Sequence, residues 1–252
     1  MSRLTIIATV ALVLAATADA TEYVVAKFLG VSPGQQVTIY DYSSSPRLKA
    51  KVWAGVYNFQ IQSGTTYTEL GGVDDVFSTY CIDIGNWVSK NHAYTWTVVD
   101  LTDAPVPFLY SDGKMSAAEQ SALQKLYGQS HAASLASAPA AAAFQAAVWE
   151  IVNESGSAWD ISSGNFKATG IDATTVNTLL ANSVSYDGPL PTLKALTSNC
   201  TQDQVFLLPG YGPPPPPPYV IPEPVSLAMV VLSLSGLGGY LRKRLAAPAG
   251  LR

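Results

Sequence analysis

The sequence predicts an α+β protein: a β-sandwich or barrel-like part with an inserted helical part, followed by a proline-rich linker and one C-terminal transmembrane helix. Three observations predict this class. Apolar and polar residues alternate in short runs up to about residue 101. Helix-start signals and alanine-rich segments then replace the alternation. From residue 210 onward, a proline run and a long apolar stretch end the globular pattern.

The β-rich part covers residues 21–110. Tyr57, Phe59 and Ile61 alternate with polar residues, as expected of a strand with one buried face. The segment 94–99 shows the same alternation, and turn signals rich in proline, glycine and serine separate the candidate strands. Short strands with regular turns favour a sandwich or a barrel.

The helical part covers residues 111–185 and precedes a last strand at 204–208. The sequence Ser116-Ala117-Ala118-Glu119 is a capping box, which predicts a helix ending near Gly128. A small-residue linker follows at 130–138, and Pro139 fits the first turn of a second helix that reaches Asn153. A third helix is predicted at 173–183.

Both ends of the chain predict export. Residues 1–20 have a positive start at Arg3, an apolar core and the small-x-small sequence Ala18-Asp19-Ala20, as in a secretory signal peptide. Residues 210–220 contain an unbroken proline run, which favours a stiff polyproline II linker. Residues 221–252 contain an apolar span at 225–241 that is near the minimum length for crossing a bilayer.

The C-terminal segment has three features in a fixed order. Pro222-Glu223-Pro224 precedes the apolar span, and Arg242, Lys243 and Arg244 follow it. Together they resemble the PEP-CTERM sorting signal of Gram-negative bacteria. The resemblance implies transient anchoring in the inner membrane, with the basic residues in the cytoplasm. It also implies cleavage near Pro222-Glu223-Pro224 by an exosortase-type enzyme, and a final place on the cell surface or outside the cell. An ordinary C-terminal anchor predicts the same topology without cleavage.

Charge argues against a nucleic-acid partner. The net charge is −4. Of the 14 lysines and arginines five lie in the terminal segments, which leaves nine basic residues in the body against 16 acidic ones. An acidic body without a basic stripe in its sequence predicts no nucleic-acid binding.

A cysteine and a glutamine carry the candidate chemistry. Cys81 lies in Tyr80-Cys81-Ile82, within a predicted strand, and Gln145 lies beside the apolar stripe of the second helix, four residues before Trp149. The two motifs resemble those of bacterial thioester domains, in which such a cysteine is joined to such a glutamine. The resemblance covers about residues 23–208, so that 21–209 is read as a thioester-type domain. It implies a Cys81–Gln145 thioester, shielded from water by Tyr80, Phe144 and Trp149.

The residues alone leave other readings open. Gln145 can be a satisfied amide at the edge of a core, and Cys81 can be a small buried residue or half of a disulfide with Cys200. Asp83 is expected to be a solvent-facing carboxylate at a strand end, and Glu150 a solvated helix residue. A secreted cysteine hydrolase would pair Cys81 with His92 or His131, but no protease motif surrounds Cys81.

The expected function is therefore adhesion and not turnover. The sequence shows no metal-ligand spacing and no phosphate-binding glycine motif, so we expect no metal, no cofactor and no catalytic residue. The exported body would capture an amine- or hydroxyl-bearing surface protein or exopolysaccharide through Gln145, for instance in a biofilm matrix. The alternative is a non-catalytic extracellular-matrix domain with a Cys81–Cys200 disulfide.

Overall fold

A computed structural model describes residues 21–43, 46–105, 113–154 and 159–210. These residues contain seven strands, three α-helices and a short 3-10 helix at Leu101–Asp103. The strands are β1 (Tyr23–Asp41), β2 (Leu48–Ile61), β3 (Val76–Cys81), β4 (Ala93–Asp100), β5 (Phe166–Thr169), β6 (Leu193–Thr197) and β7 (Gln204–Leu207). The helices are α1 (Ala117–Ser134), α2 (Ala138–Asn153) and α3 (Ala173–Ser185). The fold is mixed α+β with a large antiparallel sheet, as the sequence predicts.

The strand pairings close on themselves. The sheet has the order β2-β3-β7-β6-β4-β1-β5, and β2 also pairs with β1. Six strands therefore form a closed, barrel-like ring, while β5 pairs with the C-terminal end of β1 at residues 38–41. Because every strand of the ring has two neighbours, the ring leaves few open edges.

Strands β1 and β2 are long because they bend. Their register shifts between Phe28 and Gly30 and again between Val31 and Gly34. Gly34 and Gly55 face each other at the second irregularity, and a Cβ on Gly55 would lie 2.3 Å from the Pro33 carbonyl oxygen. Gly55 also has a φ of +149°, so a larger residue would be both strained and crowded there.

The first helix begins as predicted and ends later. The Ser116 hydroxyl accepts from the Glu119 amide and the Glu119 carboxylate accepts from the Ser116 amide, so the capping box forms. The helix does not stop at Gly128 but continues to Ser134, through most of the predicted linker. A Cβ on Gly128 would lie 2.8 Å from the Tyr186 ring. The glycine therefore permits close packing and does not end the helix.

The second helix lies at the centre of the molecule. Ser137 caps it, Pro139 lies in its first turn, and every residue from Ala141 to Asn153 is buried. It packs against β1, β2, β3 and β5 on one side and against α1 and α3 on the other. All faces of the helix are therefore buried and not only the apolar stripe seen in the sequence. Glu150, expected to be solvated, is only 1% exposed.

Two short strands were not predicted. β5 lies inside the segment assigned to helices, and β6 lies between α3 and the last strand. The last strand, β7, lies within the predicted range 204–208. β5 has only four residues and gains its hydrogen bonds from β1, more than 100 positions earlier in the chain.

The terminal predictions fall on residues that the structure does not describe. These are the signal peptide, the proline run, Pro222-Glu223-Pro224, the apolar span at 225–241 and the basic residues Arg242, Lys243 and Arg244. Within the described ranges, no helix is long and apolar enough to cross a membrane.

Candidate functional site

Cys81 is the last residue of β3, at a place where one side of the strand is open. On the β7 side, Cys81 is opposite Gln204, and the next hydrogen bond joins the Ile82 amide to the Asp203 carbonyl at 3.1 Å. In an antiparallel pair, this pattern turns the Cys81 N–H and C=O away from β7. On the other side, the pairing of β2 with β3 ends at Thr79. The two backbone groups of Cys81 therefore point to a position that no strand occupies.

The side chain of Gln145 fills that position. Its Oε1 accepts a hydrogen bond from the Cys81 amide at 2.9 Å, and its Nε2 donates to the Cys81 carbonyl oxygen at 2.7 Å. The backbone N–H can only donate and the backbone C=O can only accept, so these two groups fix which atom of the Gln145 carboxamide is the oxygen and which is the nitrogen. Both residues are completely buried. The structure thus brings together the two residues that the sequence analysis paired, with the carboxamide in the place of a neighbouring strand.

The thiol of Cys81 has polar neighbours of its own. Its Sγ donates to the Asp83 carbonyl oxygen at 2.9 Å, and the Asp83 amide donates to Sγ at 3.3 Å. Burial raises the pKa of the thiol well above its usual value, and the negative charge of Asp83 raises it further. The thiol is therefore protonated at neutral pH.

Trp149 opposes this rise in pKa. Its indole N–H has no ordinary hydrogen-bond acceptor, yet it lies close enough to the sulfur to lower the pKa of Cys81. The indole is 1% exposed. An otherwise unsatisfied donor beside the sulfur would stabilise a thiolate at this position.

Asp83 is buried, whereas the sequence suggested a solvent-facing carboxylate. It is 1% exposed, because its carboxylate closes the turn after β3. Oδ1 accepts from the amides of Gly85 and Asn86 at 2.7 and 3.2 Å, and Oδ2 accepts from the Asn86 side chain at 2.8 Å. This turn holds the Asp83 carbonyl against the thiol.

The other two predicted shielding residues belong to an aromatic cluster. The rings of Tyr80 and Phe144 are 4.6 Å apart, and Tyr127 and His131 contact both of them. The Tyr80 hydroxyl is 2.6 Å from the Ser134 hydroxyl. Since neighbouring residues of a strand point to opposite faces, Tyr80 covers the other face of β3 from the sulfur. Trp149 is the predicted shielding residue that acts on the sulfur itself.

The histidines take no part in a Cys–His pair among the described contacts. Burial lowers the pKa of His131 to about 4, and its ring lies among Tyr80, Tyr127 and Phe144. His92 packs against Tyr94. Neither histidine is a hydrogen-bond partner that the structure gives to Cys81.

A polar network that the sequence analysis missed lies beside the site. Gln202 Nε2 donates to the Asp83 carbonyl at 3.1 Å, the same oxygen that accepts from the thiol. Gln204 Oε1 accepts from the Thr79 hydroxyl at 2.8 Å. Burial raises the pKa of the neighbouring Asp203 to about 7. The run Gln202-Asp203-Gln204, which leads into the last strand, was the available signal, because polar residues beside a buried strand are rarely buried themselves unless they are paired.

Cys200 lies elsewhere. Both cysteines are free thiols, but Cys200 is exposed in the turn after β6, where its closest polar partner is Ser198 at 3.6 Å. Nothing in the described contacts brings it to Cys81. Within the same residues, no group of three or more histidine, cysteine or acidic side chains is placed to hold a metal ion.

Comparisons with known proteins give no family for this chain: no family model, no curated protein and no solved structure matches it.

Proposed function

We propose that the protein is an exported surface or matrix protein that captures a nucleophile through an internal thioester between Cys81 and Gln145. One observation carries the proposal. The carboxamide of Gln145 is completely buried and is held by both of its polar atoms against the backbone of Cys81. A satisfied amide needs no cysteine at this position, whereas a thioester needs this cysteine next to this amide.

Formation of the bond needs no co-reactant. The sulfur of Cys81 attacks Cδ of Gln145, and negative charge develops on Oε1. The Cys81 amide already donates to Oε1 at 2.9 Å, so it stabilises that charge as an oxyanion-hole donor would. The C–N bond then breaks, and Nε2 leaves as ammonia with the proton that the thiol loses. The products are one thioester and one ammonia.

Attack requires the sulfur to leave the Asp83 carbonyl. The raised pKa of the thiol opposes this step, because the reactive form is the thiolate. The Trp149 indole N–H favours the thiolate. Formation of the bond should therefore accelerate as the pH rises.

Capture follows from the electrophilic acyl carbon. An amine or hydroxyl of a surface protein or exopolysaccharide adds to Cδ of Gln145, the C–S bond breaks, and Cys81 returns to a thiol. The result is an amide or ester between the two molecules. Each protein reacts once, so it is not an enzyme. Burial of Gln145 and of the Trp149 indole supports a lifetime long enough for capture, because water competes for the same carbon.

Intact mass of the purified chain, before and after methylamine, tests the proposal. We expect a mass lower than the sequence mass by one ammonia, and we expect methylamine to add to this species. Cys81→Ala and Gln145→Ala should abolish the deficit. The matched control is Cys200→Ser, which should keep it.

Two results would contradict the proposal. A full sequence mass that methylamine does not change would leave Gln145 as a structural amide. A mass lower by two hydrogens, restored by a reductant and lost in Cys200→Ser, would establish the Cys81–Cys200 disulfide of a non-catalytic matrix domain. If the protein were a secreted cysteine hydrolase, neither mass deficit would be seen. Alkylation of Cys81 would then abolish a hydrolytic activity.

The C-terminal residues support the sorting part of the proposal from the sequence alone. Pro222-Glu223-Pro224 would direct processing by an exosortase-type enzyme after transient anchoring in the inner membrane. We expect the released protein to end near residue 222, as read from its C-terminal peptide. Replacement of the three residues by alanines should leave the uncut chain in the membrane fraction, whereas release of that variant at an unchanged rate would refute the signal.

A further inference from the structure

The outer face of β1, β2 and β5 carries a row of cations over aromatic rings. Lys49 of β2 and Lys167 of β5 both stand opposite Tyr40 of β1 in the strand register. The Lys49 ammonium lies 5.4 Å from the centre of the Tyr40 ring. The Tyr40 and Tyr42 rings stack at 6.2 Å, and Arg47 and Lys167 each lie 5.5 Å from the centre of the Tyr42 ring. These contacts hold several positive charges on one surface.

The same surface continues along β2 into a groove. Lys49, Lys51 and Trp53 alternate with less exposed residues, so their side chains leave the strand on the same side. Trp53 is 49% exposed and Trp87 is 53% exposed. Trp53 lines two adjoining cavities of about 540 and 170 Å³. Lys90 also lines the larger cavity, and Lys51 and Trp87 also line the smaller one.

This surface, called here the basic strip, consists of Arg47, Lys49, Lys51, Lys90 and Lys167 with the aromatic residues Tyr40, Tyr42, Trp53 and Trp87. It collects five of the nine basic residues of a body that has 16 acidic ones. None of the residues that line the two cavities is acidic. The nearest acidic residue along β1, Asp41, is buried on the opposite face of the strand. No basic stripe is visible in the sequence, because these residues are far apart in the chain.

We infer that the basic strip is a docking surface for an anionic polysaccharide, one whose sugars carry carboxylates. The flat faces of the exposed indoles fit the apolar C–H faces of sugar rings, which are drawn to the negative face of an aromatic ring. The lysines fit the carboxylates. Trp53 and Trp87 line the same cavity, and exposed apolar surface that is contiguous and rimmed by polar residues is typical of an interaction site.

Charge spacing favours a polysaccharide over a nucleic acid. Lys49 and Lys51 are alternate residues of one strand, so their attachment points are separated by roughly 6.8 Å. Each strand of duplex DNA carries one phosphate about every 3.4 Å of helix axis, twice as densely as Lys49 and Lys51 are spaced. A polymer whose charges are more widely spaced than those of duplex DNA matches these lysines better and meets less repulsion from the acidic remainder of the protein.

The inference rests on the surface alone and stands whether or not the thioester forms. The Cys81→Ala variant therefore separates the two proposals, since it should lose the ammonia deficit and keep polysaccharide binding. If both proposals hold, docking on the strip would raise the local concentration of the captured polymer.

The test measures binding of the full chain to a polyuronate and to neutral dextran of matched length, by calorimetry at two salt concentrations. We expect the polyuronate to bind at least tenfold more tightly than dextran, and more weakly at high salt. Trp53→Ala with Trp87→Ala should weaken binding about tenfold. Lys49→Gln with Lys51→Gln should weaken it by a similar factor and reduce its salt dependence.

The matched control for charge is Lys114→Gln with Lys125→Gln, which removes the same charge away from the strip and should leave the affinity within twofold. All these positions are at least partly exposed, and unchanged thermal unfolding would show that the variants fold. Equal affinity for dextran and polyuronate would overturn the inference. Tighter binding to single-stranded DNA of equal charge, or binding to anionic vesicles without binding to polyuronate, would overturn it as well.

Discussion

The Cys81–Gln145 junction, where the Gln145 carboxamide binds the Cys81 backbone, and the basic strip belong to the same set of strands but differ in burial. At the junction, polar groups are completely buried and each is fixed by a short hydrogen bond. On the strip, the charged and aromatic groups are exposed or half-buried, and Arg47, Lys49 and Lys167 lie over tyrosine rings at 5.4 to 5.5 Å. A buried polar group is costly to disturb, whereas an exposed one is cheap. Substitutions at the junction should therefore damage the fold, and substitutions on the strip should change only binding.

The largest expected effect is that of Gln145→Ala. It leaves the Cys81 amide and carbonyl buried without partners and opens a cavity within α2 packing, so we expect a loss of about 2–5 kcal/mol in the free energy of unfolding. The measurement is urea denaturation. The matched control is Gln129→Ala, at an exposed position of α1, which should change stability by less than about 0.5 kcal/mol. Equal losses in the two variants would break the distinction between buried and exposed amides.

The second effect is a pH dependence carried by Glu150. Burial raises the pKa of Glu150 to about 8, and one of its carboxylate oxygens has no partner. The folded chain binds this proton more tightly than the unfolded chain does. Stability is therefore fully present below the unfolded pKa of 4.5 and is lost as the pH rises through about 8. Glu150→Gln should therefore stabilise the protein by up to a few kcal/mol at pH 9 and by nothing at pH 4.

Urea midpoints between pH 4 and pH 9 would measure this difference. Glu22→Gln serves as the control, because Glu22 is exposed next to the start of β1. A stability gain in Glu150→Gln that does not depend on pH would show that packing, and not ionisation, accounts for it.

His131 acts in the opposite sense, since its lowered pKa of about 4 costs stability as the pH falls from 6.5 through 4.

A smaller effect concerns the rate of thioester formation. The charge of Asp83 is the second cause of the raised pKa of Cys81, after burial. Asp83→Asn removes that charge and keeps an acceptor for the turn, so the thiolate should form at lower pH and the ammonia deficit should appear several-fold faster after refolding. Mass spectrometry over time follows the deficit. Asp75→Asn, in an exposed turn, should leave the rate unchanged, and an unchanged rate in Asp83→Asn would show that ionisation of the thiol is not limiting.

The smallest effect on stability is expected on the strip. Tyr40→Leu removes the ring beneath Lys49 and the stacking partner of Tyr42, contacts that are worth about 0.5–1 kcal/mol at an exposed site. Thermal unfolding should change by only a few degrees or less. A loss as large as that of Gln145→Ala would show that the strip is part of the core and would contradict the comparison.

The sequence by itself determined the local features. The capping box at Ser116 and Glu119, the start of α2 at Pro139 and its end at Asn153, and the strand at Phe59 depend on residues a few positions apart, and the structure confirms them. The pairing of Cys81 with Gln145 was also proposed from two short motifs, and the structure places the Gln145 side chain against the backbone of Cys81.

Only the tertiary structure decided what depends on distant partners. Short β5 became a strand because β1 offers a free edge, and Gly128 stayed helical because Tyr186 packs against it. Asp83 and Glu150 are buried, although their neighbours in sequence suggested exposure, since α2 is covered on all sides and a turn closes on Asp83. The basic strip exists because β2 and β5 flank β1 and bring residues 49 and 167 to the same tyrosine. Burial and charge clustering are properties of packing between distant segments, and no local pattern encodes them.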